Sequence, residues 1–378
     1  MTSPDEVRVL HICTRYLRGG SEKRLADLIG AIPEWQHDVV VGLESELELA
    51  KGQLRARNLT IEPSLVREIA PRNDALATAR LCRLIHRGRY DLVVTHQSKA
   101  GIVGRSAAFL AGRKPVVHSL SMANFGPGYS AKASTTFRLA ERLMSNGTAA
   151  YAAVGHDLAN RYTEIGVPAN KIHVIRSGVR IPSTIDRTDA RLALQTQFGI
   201  PLTRPLIAYI GSLDERKGVL DLPSVLAGVR RIIPDAFLAI AGVGPLVDGL
   251  TSKLTDLRLT ADAALLGFVT PIDDLVVGAD LLVLLSSAEG VPQVLVQAAA
   301  VGTPFVSYDV DGTAELMALG AHGTVVHIGD VSKAIEAAAA LLRSGHRAAS
   351  IDASSWDSAN IARGYREVVM GVVHRART

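Results

Sequence analysis

Four short clusters in the sequence combine glycines, cations and a carboxylate in ways that suit binding of phosphorylated, hydroxylated ligands. The longest runs Ser286-Ser-Ala-Glu-Gly-Val-Pro-Gln-Val-Leu-Val-Gln-Ala-Ala-Ala-Val-Gly-Thr-Pro304 and continues to Tyr308-Asp-Val-Asp-Gly-Thr-Ala-Glu315. Glu289 directly follows an apolar run, and Gly290 and Pro292 open a turn into a helix expected over Gln293–Val301. A carboxylate so placed can accept hydrogen bonds from sugar hydroxyls while the helix's amino end meets phosphate. Gln297 stays within one or two helical turns of that place. In Tyr209-Ile-Gly-Ser-Leu-Asp-Glu-Arg-Lys-Gly218 an apolar run ends at Gly211, and Arg216 with Lys217 could reach a diphosphate. A solvated charged loop is the alternative there. Gly242 and Gly244 in Ala241-Gly-Val-Gly-Pro245 read as a tight turn with exposed backbone. The cluster Arg15, Leu17, Arg18, Gly19, Gly20, Ser21, Glu22, Arg24 follows the first apolar run. Its glycines let backbone approach a ligand, or simply turn a strand into a helix.

These residues need a scaffold that presents loops at the carboxyl ends of strands. Val7–Cys13, Asp38–Gly42, Leu92–Thr95, Val116–His118, Ala152–Val154 and His173–Ile175 read as strands, separated by amphipathic stretches such as Glu22–Ala31, Ala75–Arg87 and Thr135–Met144. That alternation is the βαβ signature of a helix-covered parallel sheet. A second series follows at Leu206–Gly211, Ala236–Ala241, Ala264–Leu266, Leu281–Leu284, Phe305–Ser307 and Thr324–His327. Between the series, Ser177–Pro205 is rich in Gly and Pro, with a helical segment near Asp189–Phe198, and reads as a linker. The expected fold class is α/β, with two Rossmann-like doubly wound parallel-sheet domains facing a central cleft.

Composition narrows the partners. The 378 residues are long enough for two cores, and two cysteines, Cys13 and Cys82, make neither a disulfide framework nor a zinc site. Acidic residues where a leader would be basic, and no apolar stretch near the roughly 20 residues of a membrane span, lead us to expect a cytoplasmic protein. Residues 1–180 hold 25 Lys and Arg against 16 Asp and Glu, a net +9, and the remainder 16 against 21, a net −5. The basic half is expected to meet an anion: a nucleotide's phosphates, a phosphorylated acceptor or the inner face of a membrane as a peripheral contact. Aromatics form 4% of the chain and no basic run is interleaved with them, which disfavours nucleic acid.

Taken in order, the clusters resemble the retaining family 4 glycosyltransferases of the two-domain GT-B architecture, over nearly the whole chain. Gly19-Gly20-Ser21-Glu22 resembles the family's Gly-Gly-x-Glu turn, and Asp91-Leu-Val-Val-Thr-His96 with the following Gly101 and Gly104 its His-ended strand and helix. Glu289 to Glu315 resembles the family's Glu-Gly-x-Pro block. The resemblance implies that Arg216 and Lys217 hold the donor diphosphate with Gly19, Gly20 and Gly211 close by, and that Glu289 and Gly290 meet the donor sugar. It further implies that backbone amides of Gln293, Val294 and Leu295 support sugar and phosphate, that Gly242 and Gly244 lie near the nucleotide, and that Val269 pairs its backbone with the base. Glu289, Lys217, Arg216, His96 and His118 are the implied catalytic set. Three departures stand out: Gln297 replaces a glutamate that usually holds the ribose, Ser212 replaces an arginine, and Ser121 replaces a histidine.

The implied reaction moves a sugar, with retained configuration, from a nucleotide-diphosphate sugar, by preference a UDP-sugar, to a hydroxyl of a saccharide, lipid-linked or small-molecule acceptor. A donor phosphate oxygen takes the acceptor's proton. No cofactor and no metal are expected, since Asp309-Val-Asp311 belongs to the block just described. Expected domains are 1–180, joined by a closing helix at about 360–378, and 181–359. Asn124–Arg138, containing Gly126, Pro127 and Gly128, reads as a mobile loop entering an amphipathic helix that meets acceptor or membrane. The rival readings are a nucleotide-sugar epimerase of the same architecture and a non-catalytic nucleotide-sugar-binding protein.

Overall fold

A computed structural model describes residues 7–17, 19–126, 129–182, 185–347 and 349–378. Arg18, Pro127 and Gly128, named above, lie outside the described residues. The chain divides into two units, Met1–Gly178 with Ser354–Thr378, and Val179–Ala353.

The first unit carries strands β1 (Arg8–Cys13), β2 (Gln36–Gly42), β3 (Asn58–Glu62), β4 (Leu92–His96), β5 (Val116–Leu120), β6 (Ala150–Ala153) and β7 (Ile172–Val174). They form one parallel sheet in the order β3-β2-β1-β4-β5-β6-β7. The second unit carries β8 (Leu206–Ile210), β9 (Phe237–Ala241), β10 (Ala263–Gly267), β11 (Leu281–Leu284), β12 (Phe305–Tyr308) and β13 (Gly323–Val326), in the parallel order β10-β9-β8-β11-β12-β13. Strands β4, β5 and β9 are buried along their whole length, as strands covered by helices on both faces must be. Each sheet reverses its order once, at β1/β4 and at β8/β11, and ligands of such sheets bind beyond the carboxyl ends at that reversal. Each unit is therefore one Rossmann-like, doubly wound parallel sheet, as the sequence leads one to expect.

One segment differs from expectation. Ser177–Pro205 is mostly not a linker: helix Arg187–Phe198, started by the Asp186 carboxylate accepting from Thr188 N–H and ended by Gly199 at φ 69°, buries Ala190 and Leu194 in the second unit. The closing segment, Ser354–Thr378, belongs to the first unit. Trp356 is buried, with the Arg176 guanidinium 4.3 Å from its ring centre. Helix Ser358–Arg377 then lays Ile361, Tyr365, Val369, Val372 and Val373 against β1, β4, β5 and β6. Their spacing of three and four residues makes one apolar stripe, each such side chain contributing about 1.5–3 kcal/mol on full burial.

Candidate functional site

In the second unit the reversal point brings two loops together. The loop after β8 reaches Arg216 and Lys217, and the loop after β11 reaches Glu289. Lys217 Nζ lies 2.6 Å and Arg216 Nη1 3.4 Å from the same carboxylate oxygen, Glu289 Oε1. Backbone stitches the loops: Ser287 N–H donates to Arg216 O at 2.8 Å, and Arg216 Nη1 donates to Ala288 O at 2.9 Å. Asp214 holds the turn by accepting from Lys217 N–H, and Ser212 Oγ donates to Asp214 at 2.6 Å. Ser212 thus anchors the turn where an arginine was expected in relatives. Two cations facing one carboxylate leave a net positive charge, and the ammonium's three donors allow Lys217 to hold Glu289 and an anion together.

The glycines of the same face have packing reasons. A Cβ on Gly242 would stand 1.8 Å from Gly211 O, so the turn after β9 lies directly on the turn after β8. Gly211 N–H donates to Ala241 O at 3.0 Å and Gly242 N–H to Gly267 O at 2.7 Å, which aligns Gly211, Gly242 and the loop bearing Val269 in one row. Gly244 packs on the backbone of Leu213 in the same way.

Helix Gln293–Ala300 starts after Pro292 with no side-chain cap. Leu295 does not join the ligand-facing amides as expected: its N–H donates to Pro292 O at 3.0 Å and its side chain is buried. Gln293 and Val294 occupy the first turn, where backbone N–H groups have no partner within the helix. Gln297 is 8% exposed, and its Nε2 donates to Arg180 O at 2.8 Å. That explains an amide at this position, because a carboxylate offers no donor to a carbonyl. Oε1 is the atom left to accept from a hydroxyl.

In the first unit, Gly19 precedes helix Gly20–Gly30 in extended backbone, and its carbonyl accepts from Lys23 N–H. The nearby carboxylate of Glu22 is buried, taking Ser21 Oγ at 2.6 Å and Gln97 Nε2 at 3.1 Å. Gln97 also donates to Arg15 O at 3.3 Å and accepts from Arg15 N–H at 3.4 Å. It adopts φ 64° and ψ 166°, a region that costs a non-glycine residue on the order of 1–3 kcal/mol. The side chain of this backbone-strained residue clamps the Arg15–Glu22 loop at the β1/β4 reversal, and sequence reasoning missed it. The available signal was its place directly after His96.

His96 and His118 do not converge. The β4/β5 register pairs Thr95 with His118, so the two imidazoles project from opposite faces of the sheet. His118 is buried, its Nδ1 2.8 Å from Thr95 Oγ1, and a Cβ on Gly101 would stand 2.5 Å from its ring, so the following helix closes over it. A catalytic His118 is therefore not supported; burial, then Arg105, holds it well below the usual imidazole range.

His96 ends a chain of three rings. His96 Nε2 lies 3.1 Å from His11 Nδ1, His11 Nε2 3.0 Å from His37 Nδ1, and His37 Nε2 2.8 Å from Ile32 O. The registers place His37 opposite Val9 and His96 opposite Cys13, which share a face with His11. Burial is the first cause lowering all three, with His96 pushed down to about 3 and helped by Arg24 and His118. The carbonyl of Ile32 can only accept, so His37 carries its proton on Nε2, His11 likewise, and His96 likewise. His96 Nδ1 is left as an unprotonated acceptor. Its ring can accept a hydrogen bond at neutral pH but cannot serve as a cationic acid.

Among the described residues no three His, Cys, Asp or Glu side chains converge as metal ligands, and no helix is long and apolar enough to cross a membrane. Residues 19–178 match the family described as Glycosyl transferase 4-like domain, and residues 191–355 match Glycosyl transferases group 1. The UDP-Gal:alpha-D-GlcNAc-diphosphoundecaprenol alpha-1,3-galactosyltransferase of Escherichia coli is 24% identical over 339 residues, 88% of this chain and 87% of that protein. D-inositol 3-phosphate glycosyltransferase 2 of Catenulispora acidiphila is 27% identical over 357 residues, 86% and 81% of the two chains. Anabaena Alr3699/HepE, solved in complex with UDP, aligns with a TM-score of 0.72 at 21% identity, covering 97% of this chain and 100% of that one.

Proposed function

The chain belongs to the family 4 glycosyltransferases of GT-B architecture, and from that membership we propose that it transfers a sugar from a UDP-sugar to a hydroxyl of a saccharide or lipid-linked acceptor, with retained anomeric configuration. The observation that carries the reading is the pairing of Arg216 and Lys217 on the single carboxylate oxygen of Glu289. The donor diphosphate lies against these cations and the first turn of helix Gln293–Ala300, and Glu289 Oε2 accepts from a sugar hydroxyl. The bond from the anomeric carbon to the β-phosphate oxygen breaks as the acceptor oxygen bonds to that carbon from the same side. The acceptor proton passes to a phosphate oxygen of the departing UDP, giving glycoside and UDP. Lys217 and Arg216 stabilise the charge that develops on the leaving group, a task that needs no metal ion.

A lipid-linked acceptor is favoured by the E. coli relative, whose name specifies one, and by helix Ala131–Met144. That helix exposes Leu139 and Leu143 beside Lys132, Arg138 and Arg142, a pattern suited to peripheral contact with an anionic membrane surface.

The test is saturation-transfer NMR with UDP-, GDP-, ADP- and dTDP-sugars on the wild type and on Lys217→Ala. Saturation of one UDP-sugar's base and sugar protons, lost in the variant, is the expected result. Saturation confined to another base refutes the uridine assignment, and the anomeric coupling constant of the product reads out the stereochemistry.

A further inference from the structure

The second unit has a cavity of about 440 Å³ at the opposite end of its sheet from the donor loops. Its walls include Arg204 and Pro205, just before β8, and Asp280, just before β11. The length of β8 sets Pro205 about 20 Å from Gly211. Four arginines line it, Arg187, Arg191, Arg204 and Arg347, with Asp280 as the one carboxylate among the lining residues. This concentration runs against the charge of its surroundings: residues 179–353 hold 13 Lys and Arg against 19 Asp and Glu, a net −6, and four of those 13 meet here.

The guanidiniums are fixed in place chiefly by neutral groups. Arg191 donates to the carbonyls of Pro201, Leu202 and Arg204, and Arg347 to those of Val277 and Ala279. Carbonyls orient a cation without cancelling its charge. Arg187, Arg191 and Arg347 therefore share Asp280, which Arg187 contacts and Arg191 approaches at 3.6 Å, while Arg204 pairs with Asp262 outside the cavity. Burial first, and then the neighbouring Arg187 charge, lower the pKa of Arg347. The charge surplus is close to two. Leu192 and Leu202, respectively 46% and 36% exposed, add apolar surface. The volume lies within the range of small-molecule sites and far exceeds what one inorganic phosphate fills.

We propose that this cavity binds a phosphomonoester with an apolar body, whose dianionic head meets the arginine cluster and whose body lies on Leu192 and Leu202. The site is separate from the donor loops, so a ligand there does not compete with nucleotide sugar for Arg216 and Lys217. A soluble metabolite and a lipid phosphate share this chemistry.

Isothermal titration of the full chain with hexyl phosphate, and with inorganic phosphate, tests the assignment. The variants are Lys217→Ala, Arg187→Gln and Leu192→Glu; both cavity positions are nearly half exposed, which keeps folding intact, and circular dichroism checks it. Hexyl phosphate should bind one-to-one to the wild type and to Lys217→Ala alike. Binding should weaken about tenfold in Arg187→Gln, the loss expected for one charge-assisted contact, and at least as much in Leu192→Glu, where apolar surface is replaced by a carboxylate that repels the phosphate. Inorganic phosphate should bind more weakly than its hexyl ester. Co-sedimentation with phosphatidylcholine vesicles that contain phosphatidic acid, removed by Arg187→Gln, assigns a lipid source, and titration by the soluble ester alone assigns a metabolite. Binding that disappears in Lys217→Ala and persists in Arg187→Gln overturns the proposal, as does the lack of saturable binding at millimolar ester.

Discussion

The two sheets reverse order at equivalent points, yet they fill those points with opposite chemistry. In the second unit the reversal carries half-exposed charges, with Lys217 and Arg216 against Glu289. In the first, Gln97 and the buried Glu22 close the loop at the reversal, and across the sheet beneath it β2, β1 and β4 carry buried rings, His37, His11 and His96, chained by hydrogen bonds to one backbone carbonyl. The same topology therefore serves an electrostatic site, where groups must remain reachable by an anion, and a closed network, where each ring fixes the tautomer of the next. A charged site tolerates water and tunes its strength through surplus charge; a buried imidazole chain stands only while every nitrogen has a partner.

The contrast can be broken most sharply at Lys217. Lys217→Ala should lower kcat/KM of sugar transfer about a thousandfold while leaving the unfolding temperature within a degree or two, because one stabilising donor to the leaving group is lost and no core is disturbed. A comparable fall for His118→Gln, measured in the same assay, would return that residue to the catalytic set.

Acid separates the two units next. His11, His37, His96 and His118 are all held below the ordinary 6.5, His96 to about 3, whereas His322 is the one such histidine of the second unit. The unfolded chain binds protons to these rings first, so stability is complete above 6.5 and falls as pH drops toward 3. Hydrogen exchange followed by mass spectrometry between pH 7 and 4 should show the first unit opening earlier. Simultaneous loss in both units contradicts the assignment.

His37→Leu should destabilise the first unit by about 2 kcal/mol, since His11 Nε2–H loses its acceptor in the core. Nitrogen chemical shifts of the wild-type histidines check the premise directly: His96 should be protonated on Nε2, and an Nδ1-protonated His96 would break the chain as described.

The smallest effect is expected at Gln297. Gln297→Glu removes the donor to Arg180 O and places a carboxylate near that carbonyl, with an expected loss of about 1 kcal/mol in thermal unfolding. Gln297→Met, similar in volume and also without the donor, should lose about the same, and a neutral result for both would show the bond to be dispensable.

Residues of the second unit were legible because their chemistry is local. Arg216, Lys217, Gly242 and Glu289 each sit within a few residues of a strand end, and an apolar run followed by Gly and charge announces such a place. The imidazole chain was illegible for the opposite reason. His11 meets partners 26 and 85 residues away, and only the strand registers show that the three rings share a face. Gln97 escaped notice because its importance lies in a backbone conformation that glutamine rarely adopts. Strand β3 was missed since it is a sheet edge of five residues, Asn-Leu-Thr-Ile-Glu, that alternate polar with only partly buried apolar ones and offer no apolar run. The linker expectation failed on packing: a helix near Asp189–Phe198 was legible, but its docking through Ala190 and Leu194 against the second unit depends on tertiary contacts that the Gly- and Pro-rich flanks do not announce.

The return of residues 354–378 to the first unit has a consequence for synthesis. Residues 179–353 form a continuous stretch that can complete its core as soon as it leaves the ribosome. The first unit is begun earlier yet lacks Trp356, Ile361, Tyr365, Val369, Val372 and Val373 until residues 354–378, which follow the second unit, have been made. The half synthesised first is thus the half completed last. During that interval its sheet exposes an apolar face, and stalled or truncated chains would offer chaperones and proteases a target there rather than at the donor loops.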